Sequence, residues 1–135
     1  MTEKQKFYFD TKKEPEFHLD IKKGNAGKQF FYADVIAYHS EVTGSCIKVS
    51  VKSKNKEENA CFIVDFGLFQ EQKYNEMNEK MPFDAEEIDF AIITHNHVDH
   101  TGRLPFLVKN GFKNKILTTS ITKKLIEPAL TDSCK

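Results

Sequence analysis

The sequence predicts an α/β domain with helices covering a β-sheet, and three observations carry that reading. The first half alternates apolar and polar residues in strand fashion. Two nearly continuous apolar runs, Ala60 to Asp65 and Asp89 to Thr94, suit strands buried on both faces. Apolar residues at helical spacing appear only beyond residue 100, so strand, loop and helix alternate as in α/β folds.

Residues 1–14 are polar and Lys-rich apart from Phe7-Tyr8-Phe9, as in a loose arm or a short edge strand. Phe17, Leu19 and Ile21 then alternate with His18, Asp20 and Lys22, and the pattern resumes at Phe30 to Ala37 after Gly24-Asn25-Ala26-Gly27. This spacing predicts a β-hairpin. Ile47, Val49 and Val51 mark a further strand, followed by a charged turn from Lys52 to Asn59. After the run to Asp65, Phe66 to Phe69 makes a tight exit. Gln70 to Met81 has no apolar stripe and reads as loop with at most one helical turn. Asp84 is placed to cap a short helix whose first turn holds Glu86 and Glu87. Leu104, Phe106, Leu107 and Val108 give a helix stopped by Asn110-Gly111. Lys115 to Thr119 is a strand, and Ile121, Leu125, Ile126 and Leu130 mark a last helix with Pro128 near its end.

A chain of 135 residues with 39% hydrophobic residues and 20 Lys+Arg against 20 Asp+Glu is sized for one globular domain. No apolar stretch reaches the roughly 18 residues of a spanning helix, and the polar start lacks an apolar leader, so a cytoplasmic protein with no membrane partner is expected. Cys46, Cys61 and Cys134 are expected as reduced thiols, poorly spaced for a zinc site. Charge is uneven along the chain. Residues 65–89 hold eight acids against two lysines, whereas Arg103 and six lysines after His100 face only Glu127 and Asp132. Such a basic third suits either a polyanion or a solvated face.

His95-Asn96-His97-Val98-Asp99-His100 stands directly after the second buried run, where α/β sheets place ligands. With 5 His in 135 residues, the pattern H-x-H-x-D-H arises by chance in about 4 of 10,000 such chains, so chance is a poor explanation. Imidazoles and a carboxylate bind zinc. Alternate spacing lets His95 and His97 face one metal, with Asp99 and His100 offset toward a second.

The run from Thr94 to Pro105, with its Gly102-Arg103-Leu104-Pro105 continuation, resembles the signature of the metallo-β-lactamase superfamily and its β-CASP branch of RNA-processing nucleases, the RNase J and cleavage-and-polyadenylation type. Glu41 to Cys46 and Ile63 to Gln70 resemble two further stretches of that branch. The resemblance implies His95 and His97 on a first zinc, Asp99 and His100 on a second, and catalytic roles for Asp99 and Asp65. Asp99 would orient or deprotonate the attacking water. Asp65 would steady the ligand loop from behind, or simply satisfy loop N–H groups as a strand-end acid. Two Zn2+ ions are implied per complete site, and RNA as the partner.

The family completes its site with a later His, a bridging Asp and a further His, yet no His follows His100 here. His18 and His39 lie upstream and read as strand-end or surface residues. The expected architecture is therefore the N-terminal half of an αββα sandwich, a mixed sheet with covering helices and an extra N-terminal hairpin. Residues 1–30 form an extension, arm plus first hairpin strand, and 31–135 a partial domain. A half-sandwich leaves an apolar sheet face uncovered, which a second copy or another chain supplying the missing half would cover. Two other functions stay open: a small-molecule hydrolase of the thioesterase or lactamase kind, and a non-catalytic zinc module that pairs with another chain.

Overall fold

Six strands share one mixed sheet in the computed structural model, which describes residues 16–21, 31–38, 42–53 and 59–133. β1 (Glu16–Ile21), β2 (Phe31–Ala37), β3 (Ile47–Ser53) and β4 (Ala60–Val64) run antiparallel in chain order. β5 (Phe90–Ile92) and β6 (Lys115–Leu117) then add in parallel. The predicted hairpin is thus present as β1 and β2, paired from Glu16 opposite Ile36 to Ile21 opposite Phe31. Its Gly24–Gly27 turn, the arm of residues 1–14, the heart of the charged turn at 54–58, and His39, Glu41 and Cys134 lie outside the described residues.

Parallel pairing needs crossovers, and they carry the helices. Residues 65–89 link β4 to β5, and two short helices, α1 (Val98–Thr101) and α2 (Leu104–Lys109), link β5 to β6. α2 stops at Asn110 as its spacing predicts, with Gly111 taking the left-handed turn at φ 113°. The last helix, α3 (Ser120–Ser133), runs past Pro128, which sits inside it rather than near its end.

The core lies on one face of the sheet. Ile63 on β4 and Ala91 on β5 are register partners and fully buried, and Phe66, Ile88, Leu104 and Leu107 pack against the same side. Each large buried side chain contributes about 1.5–3 kcal/mol. On the opposite face Phe62 and Phe90 stack at 4.7 Å and are only half-buried. β4 is therefore covered on one side, not on both as its apolar run suggests, because strand side chains alternate and the helices lie with Ile63. β6 is exposed along its whole length, and Ile116, Leu117, Ile121 and Leu125 carry apolar surface into solvent beside it.

Residues 72–79 depart from expectation. An eight-residue 3-10 helix, Gln72–Glu79, replaces the expected loop although it buries nothing of its own. Tertiary hydrogen bonds hold it instead: the Asn78 side chain bonds both the N–H and the carbonyl of Phe69, and Arg103 donates to the Met77 carbonyl at 2.7 Å. The short turn capped by Asp84 forms as predicted, over Ala85–Glu87, with the Asp84 carboxylate accepting from Glu86 N at 2.9 Å.

Cys46 and Cys61 are free thiols. Burial pushes the Cys46 thiol up to about 12, Arg103 opposing and Asp65 reinforcing the shift. The unfolded thiol ionises near 9, so its contribution is whole below that pH and is lost as pH climbs toward 12. Cys46 is expected to resist a disulfide exchange reagent at pH 8 in the folded chain and to react at once in 6 M guanidinium. Fast reaction of all three cysteines without denaturant contradicts its burial. Among the described residues no helix is long and apolar enough to cross a membrane.

Candidate metal centre

Two loops at the C-terminal ends of neighbouring parallel strands build the site, one after β4 and one after β5. Asp65 opens the first. Its backbone adopts the left-handed conformation at φ 61°, which an Asp tolerates better than most residues, and its N–H bonds the Ile92 carbonyl at 2.8 Å. That twist turns the carboxylate toward the second loop. Oδ1 accepts from Thr94 N at 2.8 Å, and Oδ2 accepts from the Thr94 hydroxyl and from His100 Nδ1, each at 2.7 Å. At 3% exposed, Asp65 turns all this acceptor capacity toward the protein. The one carboxylate thus bonds a backbone N–H, a hydroxyl and an imidazole of the second loop.

The second loop has no regular structure through residues 93–97, His97 being extended, and then turns helical at α1, which carries Asp99 and His100. Backbone crossings pin it down. Phe66 N bonds the His100 carbonyl, Leu68 N the Val98 carbonyl, and Ser45 N the Asp99 carbonyl, all at 2.9–3.0 Å. The turn before β3 serves this contact. Gly44 has φ 77° and lies against the Phe69 ring, where a Cβ would sit 2.4 Å from the ring carbons. The Thr43 hydroxyl beside it accepts from Gln70 N and donates to Glu71.

Arg103 is the buried member of the Gly-Arg-Leu-Pro run. Only 2% exposed, it stacks over Phe66 at 4.2 Å, donates from Nε to the Gly67 carbonyl at 2.8 Å, and ties down Met77. Burial lowers its pKa, with the Cys46 thiol opposing. It is therefore no part of a basic surface, unlike exposed Lys109, Lys113, Lys115, Lys123 and Lys124.

Three imidazoles meet at the mouth of the site, His95 lying 4.6 Å from His97 and 4.0 Å from His100 between ring centroids. His100 Nε2 stands 3.5 Å from Asp99 Oδ2, and both side chains are partly exposed. The donor chemistry suits a divalent metal: the carboxylate of Asp65 occupies His100 Nδ1 and leaves Nε2, on the Asp99 side of the ring, with its lone pair. Convergence is weaker than the chemistry. Among the described residues no group of three or more His, Cys, Asp or Glu is disposed to hold one ion. Sequence reasoning gives no individual role to Thr94, Gly67 and Ser45, which hold the loop without ligating chemistry, although they lie inside the runs Thr94–Pro105, Ile63–Gln70 and Glu41–Cys46 that it singles out.

The sequence is similar to known proteins. A ribonuclease of Thermus thermophilus is 36% identical over 73 residues, 54% of this chain and 17% of its own length. Cleavage and polyadenylation specificity factor subunit 3-I of Arabidopsis thaliana is 35% identical over 101 residues, 71% of this chain and 13% of its own. Cleavage and polyadenylation specificity factor 73 of Drosophila melanogaster is 33% identical over 100 residues, 70% of this chain and again 13% of its own. This chain thus spans less than a fifth of each. A flavo di-iron protein variant from Thermotoga maritima superposes over 86% of this chain and 30% of its own, with a TM-score of 0.41 and 18% identity. The metallo-beta-lactamase superfamily profile matches residues 55–132. That match takes in the Asp65 loop, the residues 95–100 and the buried Arg103 that joins them, and the chain belongs to the metallo-beta-lactamase superfamily.

Proposed function

We propose that this chain carries the first metal-ligand loop of a zinc-dependent RNA phosphodiester hydrolase of the β-CASP type. The observation that carries the reading is the Asp65 clamp, which holds Thr94 and His100 at the C-terminal end of β5, where the His95 ring lies 4.0 Å from that of His100 and the same loop carries His97 and Asp99. On this reading His95 and His97 serve one ion, and Asp99 and His100 the other. Two donors per ion accord with the lack of any three-donor cage among the described residues. Zinc takes four ligands, so the remaining donors come from outside these four residues.

Bound zinc supplies Lewis-acid stabilisation of charge on phosphate oxygens and a water acidic enough to attack phosphorus near neutral pH. The protein's own groups do the rest. Asp99, partly exposed beside His100 Nε2, holds and moves the proton of the attacking water. Asp65 positions His100 from its buried seat and touches no substrate. Exposed Lys113, Lys115, Lys123 and Lys124 draw in the polyanion. The relatives named as a ribonuclease and as cleavage factors favour RNA over a small ester. β1, Glu16–Ile21, extends the sheet at the edge opposite β6, apart from the ligand loops.

Zinc per chain by elemental mass spectrometry, with oligomeric state recorded, tests this. The monomer is expected to hold fewer than two zinc ions, to gain metal with concentration, and to lose it in His97→Ala. Two tightly held ions with RNA cleavage by a monomer overturn the shared-site reading. Failure to take up zinc at any concentration overturns the metal centre, and cleavage of a thioester in place of an RNA oligonucleotide overturns the substrate class.

A further inference from the structure

We propose that Thr94 is a positioning residue that sets the tautomer of His95, relaying the orienting effect of Asp65 to a second imidazole; this rests on the metal-centre reading. The Thr94 hydroxyl lies 2.7 Å from Asp65 Oδ2 and 2.9 Å from His95 Nδ1. A hydroxyl has one proton, and a carboxylate only accepts. The proton therefore goes to Asp65, and Thr94 Oγ1 must accept from His95. His95 Nδ1 thus carries its hydrogen, and Nε2 keeps the lone pair. His100 reaches the same state by a direct bond to the same Oδ2. One buried carboxylate in this way orients two imidazoles, one directly and one through a hydroxyl. The Thr94 N–H on Asp65 Oδ1 keeps the hydroxyl from swinging away, because backbone and side chain of one residue grip both oxygens of one carboxylate.

The role requires a hydroxyl, not the threonine shape. Thr94→Val is nearly isosteric and keeps the backbone bond to Asp65. Thr94→Ser keeps the hydroxyl. Long-range 1H–15N correlation spectra of the metal-free full chain near pH 8.5 read the tautomers directly. Wild type is expected to show His95 and His100 both protonated on Nδ1. In Thr94→Val the His95 signature shifts toward the Nε2-protonated form while His100 stays, and Thr94→Ser restores the wild-type pattern. Zinc affinity, measured by chelator competition, is expected to fall about 10-fold in Thr94→Val and to stay within about 2-fold in Thr94→Ser, the scale of losing a partner behind a metal-binding histidine. A wild-type His95 protonated on Nε2 overturns the relay before any variant is made, as does a His95 signature unchanged in Thr94→Val. A chain that shows the tautomer pattern yet takes no zinc supports the relay and refutes the metal centre, so the two failures are distinct.

Discussion

Replacing Gly67 with alanine is expected to destroy the order of the loop after β5 and to cost more than about 4 kcal/mol, beyond the range of ordinary substitutions. A Cβ at Gly67 would stand 1.6 Å from the Asp99 carbonyl oxygen, 2.1 Å from its carbon and 2.7 Å from His100 N. All three are backbone atoms, so no rotamer change relieves the clash. The two loops cross here in direct main-chain contact, with Gly67 N donating to the Ser45 carbonyl at 2.8 Å while Ser45 N donates to Asp99. Pushing the chains apart breaks that exchange together with the flanking bonds from Phe66 and Leu68, and it loosens the Arg103 bond to the Gly67 carbonyl. Chemical denaturation followed by circular dichroism measures the loss. A Gly67→Ala midpoint equal to wild type would show that the loops do not meet as described.

That crossing explains how much of the molecule is legible from residue order alone. The six strands follow from local apolar pattern, since each is a short segment whose own residues announce it. His95, His97, Asp99 and His100 are visible for the same reason, being packed into six residues. Arg103 is not. A lone arginine in a basic stretch reads as surface charge, and only the arrival of Phe66 above it and three carbonyls around it, from residues 23–36 positions away, makes it a buried strut. The 3-10 helix Gln72–Glu79 is hidden in the same way, because its anchors, Phe69 and Arg103, lie outside its own period. Asp65 stood out as an acid ending a strand, but its three bonds depend on the parallel pairing of β4 with β5, which sets Val64 opposite Ile92 and so brings Thr94 alongside.

Asp65→Asn is expected to leave the fold standing and to reduce zinc affinity by about 100-fold, the upper end for partners behind metal ligands. Asparagine accepts the left-handed backbone at φ 61° that this position requires, so the change is chemical rather than conformational. The backbone N–H of Thr94 can only donate, which forces the amide oxygen into the Oδ1 place and the NH2 group into the Oδ2 place. That NH2 then donates where the carboxylate accepted. His100 Nδ1 must become an acceptor, which moves its proton to Nε2 and blocks the nitrogen that the proposed metal centre requires. Thr94, now receiving a proton from the amide, donates in turn to His95 Nδ1, and the second imidazole flips its tautomer as well. Asp65→Ala removes the acceptor altogether and leaves three donors without it, at about 1–3 kcal/mol each where buried, so it is expected to lower stability as well as metal binding. Zinc titration beside denaturation separates these outcomes. If Asp65→Asn and Asp65→Ala lose stability equally while the Asn variant binds zinc like wild type, the carboxylate serves only the fold, and its aim at the two imidazoles has no bearing on the metal.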